Sequence, residues 1–253
     1  MRYGPWALIT GGSEGVGAAF ARQLAASGVS SVLVARKPEP LEETAASLRA
    51  LGVECRTVTA DLTAGAEPVL SAVEGLDLGL LVLNAGANSY GHDFATGDLA
   101  GHQAVVDLNI TAALPLLHAV GGRLADRGSG GIVVVGSMAG YIGAERIATY
   151  SAVKAFQRIL CEGLWLELQP KGVDVLHLVL GLTRTPAMER AGLKLDGAAD
   201  PEDVAREGLE ALGSGGGPVH HVGGADGIAT YLSRLPRAEA VSSHAAILRK
   251  MGP

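Results

Sequence analysis

Tyr150 and Lys154 lie four residues apart in the segment YSAVK, a spacing that puts both side chains on one face of a helix. An unperturbed tyrosine has a pKa near ~10. A neighbouring ammonium favours the phenolate, so we expect Lys154 to lower the pKa of Tyr150 toward the range that general acid–base catalysis requires. The spacing alone is weak evidence, because many amphipathic helices contain it. The apolar row beside the pair is expected to pack inward: Ala152, Phe156, Leu160, Leu164 and Leu168.

Two polar residues upstream could assist such a pair. Ser137 directly follows the apolar run GIVVVG (131–136), so its hydroxyl is expected at the carboxyl edge of a sheet. There it could hydrogen-bond a carbonyl oxygen on which charge develops, or it could be an ordinary turn residue at a strand end. Asn109 lies in the mainly apolar helical segment VVDLNITAA. It is either a satisfied core amide or the anchor of a water that connects Lys154 to solvent.

A glycine-rich turn, TGGSEGVG (10–17), lies between a predicted strand and a predicted helix. Backbone N–H groups at a helix N-terminus, together with the helix dipole, favour phosphate. We expect Gly11, Gly15 and Gly17 to permit a tight turn, a close approach of the backbone to a ligand, and a helix–strand contact. The spacing differs from Gly-x-Gly-x-x-Gly, and no Lys-Ser/Thr follows to indicate a mononucleotide P-loop.

The end of the second predicted strand favours NADP over NAD. Ala35 stands where an acidic residue would bind the ribose diol of NAD, and Arg36 and Lys37 follow it. A guanidinium can pair bidentately with a phosphate and stack on adenine, although a solvated strand end is the alternative interpretation. Glu14 weakens the preference. Ser13 and Arg36 would have to hold the 2′-phosphate beside a carboxylate, unless Glu14 turns to solvent or pairs with Arg36.

Alternating strands and helices must position these residues. The strand candidates are 6–10, 31–35, 54–60, 78–83, 131–136, 173–180 and 218–223, and helical spacing occurs at 17–27, 40–51, 98–127 and 150–169. Several strands are continuous apolar runs, as expected for parallel strands covered on both faces. The order predicts a single α/β domain over residues 1–253, with a Rossmann-type doubly wound parallel sheet and helices on both faces. Asp200 and Pro201 are predicted to begin a further helix.

Composition argues against several classes of protein. Hydrophobic residues make up 48 % of the 253 residues, which excludes disorder, and a net charge of −6 argues against a nucleic-acid binder. The two cysteines, Cys55 and Cys161, indicate a reducing cytoplasm. Neither a signal-peptide core in MRYGPWALIT nor an uncharged apolar run of ~18 residues is present, so we expect no membrane span. His220 and His221 would face opposite sides of a strand, so we expect no metal.

The order of these motifs resembles the short-chain dehydrogenase/reductase family over about residues 5–186. The motifs are TGGSEGVG, Asp61-Leu62, Leu83-Asn84-Ala85-Gly86, Asn109, Ser137 and Tyr150-Ser-Ala-Val-Lys154. The stretches YGPWALITGGSEGVG, GLDLGLLVLNAG and KGVDVLHLVLGLTRT are similar to the branch of long-chain 3-ketoacyl reductases and hydroxysteroid dehydrogenases. That branch reduces bulky, apolar ketones.

The resemblance implies a catalytic role for four residues. Tyr150 would protonate a carbonyl oxygen, or deprotonate an alcohol, while Ser137 polarises the substrate. Lys154 would bind the nicotinamide ribose and lower the pKa of Tyr150. Asn109 would anchor a proton-relay water.

The resemblance also implies the cofactor contacts. Arg36 matches the basic residue that marks NADP preference, Asp61 and Leu62 would meet the adenine, and residues 84–86 would line the cofactor. Gly181 and Thr185 match the family's loop after the sixth strand, whereas Leu180 and Thr183 replace its Pro and Val and leave the path of the loop open. The expected cofactor-binding residues are Gly11, Ser13, Glu14, Gly15, Val16, Gly17, Arg36, Asp61, Leu62, Asn84, Ala85, Gly86, Tyr150, Lys154, Gly181, Thr183 and Thr185.

We therefore expect an NADP(H)-dependent enzyme that interconverts a ketone and a secondary alcohol. An NAD-dependent alcohol dehydrogenase of the same fold, and a dinucleotide-binding regulator without catalysis, remain open. Residues 186–253 would form a substrate lid and C-terminal extension, with Met188, Ala191 and Leu193 as candidate substrate contacts; an ordinary surface loop is the alternative. From the family, helices 98–127 and 150–169 would form a homodimer or homotetramer interface.

Overall fold

Seven parallel strands form one sheet in the middle of the molecule, in the order β3-β2-β1-β4-β5-β6-β7. The structure is a computed structural model that describes residues 2–86 and 90–251, without the side chains of 247–251. The strands are β1 Trp6–Thr10, β2 Ser30–Ala35, β3 Cys55–Thr59, β4 Leu78–Leu83, β5 Gly130–Val135, β6 Val173–Val179 and β7 Val219–His221. The strand order reverses between β1 and β4, which opens a crevice at their carboxyl ends.

Helices cover both faces of the sheet, because successive side chains of a strand point to opposite faces. Ile9 and Leu33 pack under α1 and α8, whereas Leu8 and Val32 pack under α3, α5 and α6. The helices are α1 Gly15–Ala26, α2 Pro38–Arg49, α3 Glu67–Ala72, α4 Leu99–Val106, α5 Ala113–Arg127, α6 Ala148–Leu168, α7 Pro186–Arg190, α8 Pro201–Ser214, α9 Asp226–Arg234 and α10 Arg237–Met251.

The predicted sheet and its single α/β domain are confirmed. Every strand candidate contains the observed strand or matches it within a residue at each end. The predicted start of α8 is also confirmed: the Asp200 carboxylate accepts a hydrogen bond from the Glu202 N–H at 2.8 Å, and Pro201 is the first helical residue.

The segment 98–127, predicted as one helix, is broken by a π-helical turn at Asp107–Thr111. The N–H of Ala112 donates to the carbonyl of Asp107, five residues back, at 2.8 Å. The turn therefore holds one residue more than an α-helical turn, and Asn109 lies in its middle. The apolar periodicity continues across the turn, which is why the break was not predicted.

The prediction for the buried face of α6 is wrong in the first half of the helix, whereas in the second half Leu168 is buried and Leu160 and Leu164 pack against the core, as predicted. Ala152 is exposed and Phe156 is 41 % exposed, whereas the buried residues are Ser151, Val153, Lys154, Gln157, Cys161 and Leu168. The physical reason is that the first half of this helix packs on the site, where Lys154 and Gln157 are buried with hydrogen-bond partners.

One helical stretch within the described residues, Leu99–Arg127, is long and apolar enough by composition to span a membrane. It is 44 % buried within the molecule and packs on the sheet, and a core helix passes the same test. Asp107 interrupts it, so the stretch is weak evidence for a span.

Candidate active site

A cavity of about 820 Å³ lies at the carboxyl edge of the sheet, a size typical of ligand sites. The turns after six strands, β1 to β6, line it, together with α6, α7 and α10. Of the predicted site residues, those that line it are Gly11, Ser13, Glu14, Gly15, Val16, Arg36, Leu62, Asn84, Ala85, Gly86, Ser137, Tyr150, Lys154, Gly181, Thr183 and Thr185. Gly17, Asp61 and Asn109 lie behind or beside this wall.

The glycine-rich turn depends on the absence of side chains. Gly11 and Gly15 have φ values of +68° and +55°, in the left-handed region that favours glycine. A Cβ on Gly17 would lie 2.2 Å from the carbonyl oxygen of Gly11, so Gly17 allows α1 to approach the turn. Gly17 therefore serves the packing of the turn, and the neighbouring residues Gly15 and Val16 line the cavity.

Thr10 and Asn84 hold the turn against β4. The hydroxyl of Thr10 accepts hydrogen bonds from the N–H groups of Asn84 and Ala85, both at 3.0 Å. The side-chain amide of Asn84 donates to the carbonyls of Thr10 and Gly11, at 3.2 and 3.0 Å. Thr10 was not predicted as a site residue, although a threonine that ends an apolar strand immediately before a glycine-rich turn was an available signal.

The turn and the start of α1 fit the diphosphate of a dinucleotide. The first N–H groups of a helix lack intrahelical partners, and no described side chain caps the N-terminus of α1. Gly11 and Gly15, which line the cavity, present no Cβ atoms to a ligand. The residues that would hold the cofactor are therefore the backbone of Gly11 to Val16 and the lining residues after the other strands.

Asp61, whose contact with adenine stays a prediction, has structural partners after β3. Its carboxylate accepts hydrogen bonds from the N–H and hydroxyl of Thr63, at 3.0 and 2.8 Å, and caps the short helical turn that follows β3. These bonds lower the pKa of Asp61, with a smaller contribution from the nearby Arg36 guanidinium. Leu62, the next residue, lines the cavity.

Glu14 pairs with Arg190, a residue of α7 that sequence analysis did not predict. The guanidinium donates to both carboxylate oxygens, at 3.0 and 2.5 Å. The pair joins α7 to the glycine-rich turn, and a Cβ on Gly15 would touch the Thr185 side chain at 3.1 Å. Glu14 was expected to turn to solvent or to pair with Arg36, and neither arrangement is observed. The pair with Arg190 was not expected because the path of α7 could not be predicted from the sequence.

The loop after β6 has a defined path, which the sequence left open. The carbonyl of Leu180 accepts a hydrogen bond from the Met138 N–H at 2.9 Å, which ties the loop to the segment after β5. Thr183 is buried, and the hydroxyl of Thr185 caps α7 by accepting from the Met188 N–H at 3.3 Å.

Tyr150 and Ser137 meet in the cavity wall. Burial raises the pKa of the Tyr150 phenol above its ordinary value near 10, and a hydrogen bond with the Ser137 side chain acts in the opposite direction. The Ser137 hydroxyl also accepts from the Ala139 N–H at 3.2 Å, which orients it at the end of β5. The phenol is therefore protonated at neutral pH and is poised to donate a proton.

Lys154 differs from the expectation that its ammonium lowers the pKa of Tyr150. Its side chain is buried, and its Nζ donates to the carbonyl of Val135 at 2.9 Å and to the side-chain oxygen of Gln157 at 3.0 Å. Burial lowers the pKa of Lys154 to about 7, so the amine carries only part of a charge at neutral pH. Its Nζ lies 5.7 Å from the centre of the Tyr150 ring, and the hydrogen bond with Ser137 is what lowers the phenol pKa.

Asn109 is fully buried behind Lys154. Its side-chain amide donates to the Val105 carbonyl at 2.9 Å, within the same helical segment. Its backbone carbonyl accepts from the side-chain amide of Gln157 at 2.8 Å. A Cβ on Gly86 would lie 2.7 Å from Asn109 Oδ1 and 3.1 Å from Lys154 Nζ, so Gly86 lets the two side chains approach the cavity wall.

The outer part of the cavity is lined by apolar side chains and one histidine. Met188 and Ala191, both predicted, line it beside Ile147, whereas Leu193 is not in the lining. His244 of α10 also lines the cavity, and burial lowers its pKa. No local motif marks His244, because only the fold brings α10 to this edge.

The two neighbouring histidines of β7 have separate partners. His220 Nε2 lies 2.7 Å from a carboxylate oxygen of Glu207, and His221 Nε2 lies 2.9 Å from the hydroxyl of Tyr141. Among the described residues, no group of three His, Cys, Asp or Glu side chains could hold a metal ion.

Comparisons with known proteins identify a family for most of this chain. The family model for short chain dehydrogenases matches residues 5–195. The 7beta-hydroxysteroid dehydrogenase of Collinsella aerofaciens is 34 % identical over 224 residues, which cover 84 % of each chain. The very-long-chain 3-oxoacyl-CoA reductase of Neurospora crassa is 35 % identical over 217 residues, which cover 83 % of this chain and 65 % of that protein.

The fold is also shared with a solved structure that contains a cofactor. The short-chain dehydrogenase from Sphingobium yanoikuyae, in complex with NADPH, superposes with a TM-score of 0.80 at 33 % identity. The match covers 92 % of this chain and 97 % of the other.

Proposed function

The chain belongs to the short-chain dehydrogenase family, and from that premise we propose that it is an NADP(H)-dependent reductase of bulky, apolar ketones. The observation that carries the proposal is the position of Tyr150, Ser137 and Lys154 together in a cavity that begins at the glycine-rich turn. The reaction is reversible, so the same site would oxidise the corresponding secondary alcohol.

The charges at the adenine end of the cavity support NADP. Ala35 leaves room where a carboxylate would repel a 2′-phosphate, and Arg36 and Lys37 line the cavity. Glu14 is bound to Arg190, which also lines the cavity, so its charge is paired with a guanidinium other than that of Arg36. A relative of the same fold binds NADPH.

The protonation of Tyr150 supports carbonyl reduction. When bound, the reduced nicotinamide would supply a hydride to the carbonyl carbon. As charge develops on the carbonyl oxygen, the Ser137 hydroxyl would donate a hydrogen bond to it and the Tyr150 phenol would donate its proton. A phenol whose pKa is raised by burial keeps that proton until the oxygen becomes basic.

The substrate class follows from the apolar outer wall. Ile147, Met188 and Ala191 offer no charge to a ligand, and His244 offers one polar ring at the side of α10. The Arg190 guanidinium also lines the cavity and is paired with Glu14. A large ketone with a hydrocarbon body, steroid-like or ketoacyl, suits such a wall. The relatives are named for a hydroxysteroid and for a very-long-chain 3-oxoacyl-CoA.

We also propose a reducing compartment, the cytoplasm, for this protein. Cys55 and Cys161 are both free and buried, on opposite faces of the sheet. Free buried thiols are typical of proteins from reducing compartments.

A ketone panel tests the function. The purified protein is incubated with steroid ketones, 3-ketoacyl thioesters and small ketones, with NADPH and NADH in parallel, and oxidation of the nicotinamide is followed. We expect turnover with NADPH on at least one bulky ketone and weaker turnover with NADH. Binding of NADPH without turnover on any ketone or alcohol would instead support a regulator, and a preference for NADH would support the NAD-dependent alternative.

A further inference from the structure

Gln157 forms a bridge between two of the expected catalytic residues, and no motif predicted it. Its side-chain oxygen accepts from Lys154 Nζ at 3.0 Å, and its side-chain nitrogen donates to the Asn109 carbonyl at 2.8 Å. The side chain is 3 % exposed, and both ends of the amide are used. The bridge therefore links Lys154 to the backbone carbonyl of Asn109 through one side chain.

We propose that Gln157 is a positioning residue, which holds the Lys154 amine in place and sets its charge. The inference rests on the proposed function, because it concerns a group of the same site. Gln157 does not line the cavity, so it acts through Lys154 and contacts neither substrate nor cofactor.

The geometry explains how one amide does this. A lysine ammonium has three N–H donors, and the carbonyl oxygens of Val135 and Gln157 accept two of them. Both acceptors are neutral carbonyl groups. Their dipoles stabilise the charged form of the Lys154 amine, whereas burial destabilises that form. The Gln157 amide cannot turn away, because its other end is fixed to the π-helical turn through Asn109.

Removing one acceptor should make the charged amine less stable. Gln157→Met keeps the size of the side chain without its carbonyl, so the pKa of Lys154 should fall further. Gln157→Glu puts a carboxylate beside the amine, so the pKa of Lys154 should rise. The two variants therefore move the same titration in opposite directions, by about one pH unit or more each, because a hydrogen bond to a charged group is worth about 1.5–3 kcal/mol.

Other titratable groups near the amine do not mimic this effect. Tyr150 and Cys161 interact with it from α6, and His177 from β6. Burial raises the pKa of Cys161 to about 12 and lowers that of His177 to about 3, and it raises that of Tyr150. Among Tyr150, Lys154, Cys161 and His177, Lys154 is therefore the group whose pKa lies between 6 and 9.

The test measures NADPH binding by fluorescence and turnover across pH, for wild type, Gln157→Met and Gln157→Glu. We expect the pH at which binding weakens on the alkaline side to move down in Gln157→Met and up in Gln157→Glu. Gln23→Met is the matched control: its amide donates to the Glu202 carbonyl at 2.7 Å and joins α1 to α8, away from the cavity. It should lower the thermal midpoint without moving the pH dependence.

The outcomes separate this inference from the proposed function. Opposite shifts in NADPH binding support the positioning role, even if no ketone is reduced by the wild type. If the wild type reduces ketones and both Gln157 variants bind NADPH with the wild-type pH dependence, the positioning role is wrong. Thermal unfolding of each variant without cofactor shows which variants are folded. If only one of the two Gln157 variants folds, the direction in which its pH dependence of NADPH binding moves still tests the positioning role.

Discussion

Arg36 and Glu14 carry opposite charges at the same end of the cavity, and their partners decide which charge a ligand meets. Glu14 is held by Arg190, and the smallest of the contributions that lower the pKa of Asp61 comes from Arg36. Arg36 is exposed and lines the cavity, so its guanidinium is accessible to a phosphate. A change at Glu14 would also break the ion pair with Arg190 of α7, which makes Arg36 the cleaner probe of cofactor choice.

Replacing Arg36 should weaken NADPH selectively. We expect Arg36→Ala to raise the Kd for NADPH by about 10- to 100-fold, the equivalent of one lost hydrogen bond to a charged group, with little change for NADH. Calorimetric titration of both cofactors measures this. Arg56→Ala, the same charge change on β3, is the control. Equal weakening of NADPH and NADH would contradict a 2′-phosphate contact at Arg36.

Part of the residue-level site could be predicted, because it lies in local patterns. The Tyr150 and Lys154 spacing, the glycine turn and the serine after β5 are short motifs at strand ends. Arg190 and the contact of Gln157 with Asn109 could not be predicted, since the partners lie 176 and 48 positions away in the sequence. The contact of Gln157 with Lys154 spans only three residues, but no motif marks it. The low pKa of Lys154 could not be predicted either. It depends on the burial of this side chain, and Lys154 was not among the residues of α6 that were expected to pack inward.

The glycine-rich turn and α1 work as one element. Gly11 accepts a hydrogen bond from Asn84 and lies against Gly17, so β1, β4 and α1 converge within a few ångströms. This convergence fixes the N-terminus of α1 under the cavity. The strands could be predicted because each is a short apolar run between turn residues, whereas the π-helical turn could not, since it adds one residue without disturbing the apolar pattern.

A methyl group at Gly17 should disrupt this convergence. Because its Cβ would lie 2.2 Å from the Gly11 carbonyl, we expect Gly17→Ala to lower the free energy of unfolding by about 1–3 kcal/mol and to weaken dinucleotide binding. Gly163→Ala is the matched control, since an added Cβ on this α6 glycine meets nothing within 4 Å. That variant should gain about 0.5–1 kcal/mol. Chemical denaturation compares them, and a Gly17→Ala protein as stable as wild type would refute the packing role.

At the scale of the whole molecule, large apolar side chains are exposed on the surface of α4, α5 and α6. Leu99 of α4, Leu114 of α5 and Phe156, Ile159 and Leu166 of α6 are exposed. Exposed apolar surface on adjoining elements marks an interaction site, and a second copy of this chain is the partner that the family resemblance implies. The family and the α/β architecture could be predicted from the sequence. Which side chains remain exposed depends on the rotation of α6 about its axis, and the predicted inward row was wrong at Ala152 and Phe156.

A charge on this surface should separate the subunits. We propose a homodimer or homotetramer, and we expect Ile159→Lys to reduce the oligomeric state measured by analytical ultracentrifugation. Leu51→Lys, at the end of α2, is the control because the two side chains are almost equally exposed, at 56 % for Leu51 and 57 % for Ile159. A wild-type monomer at micromolar concentration, or equal effects of both substitutions, would show that α6 is not an interface.

The central claim is that the Tyr150 phenol donates the proton in an NADPH-dependent ketone reduction. The most direct measurement compares turnover and NADPH binding in wild type and Tyr150→Phe on the best ketone of the panel. The variant removes one hydroxyl and keeps the ring. We expect turnover to fall by about 10²- to 10⁴-fold, the range for general acid–base catalysis, with the Kd for NADPH nearly unchanged. Wild-type turnover in Tyr150→Phe would contradict the account.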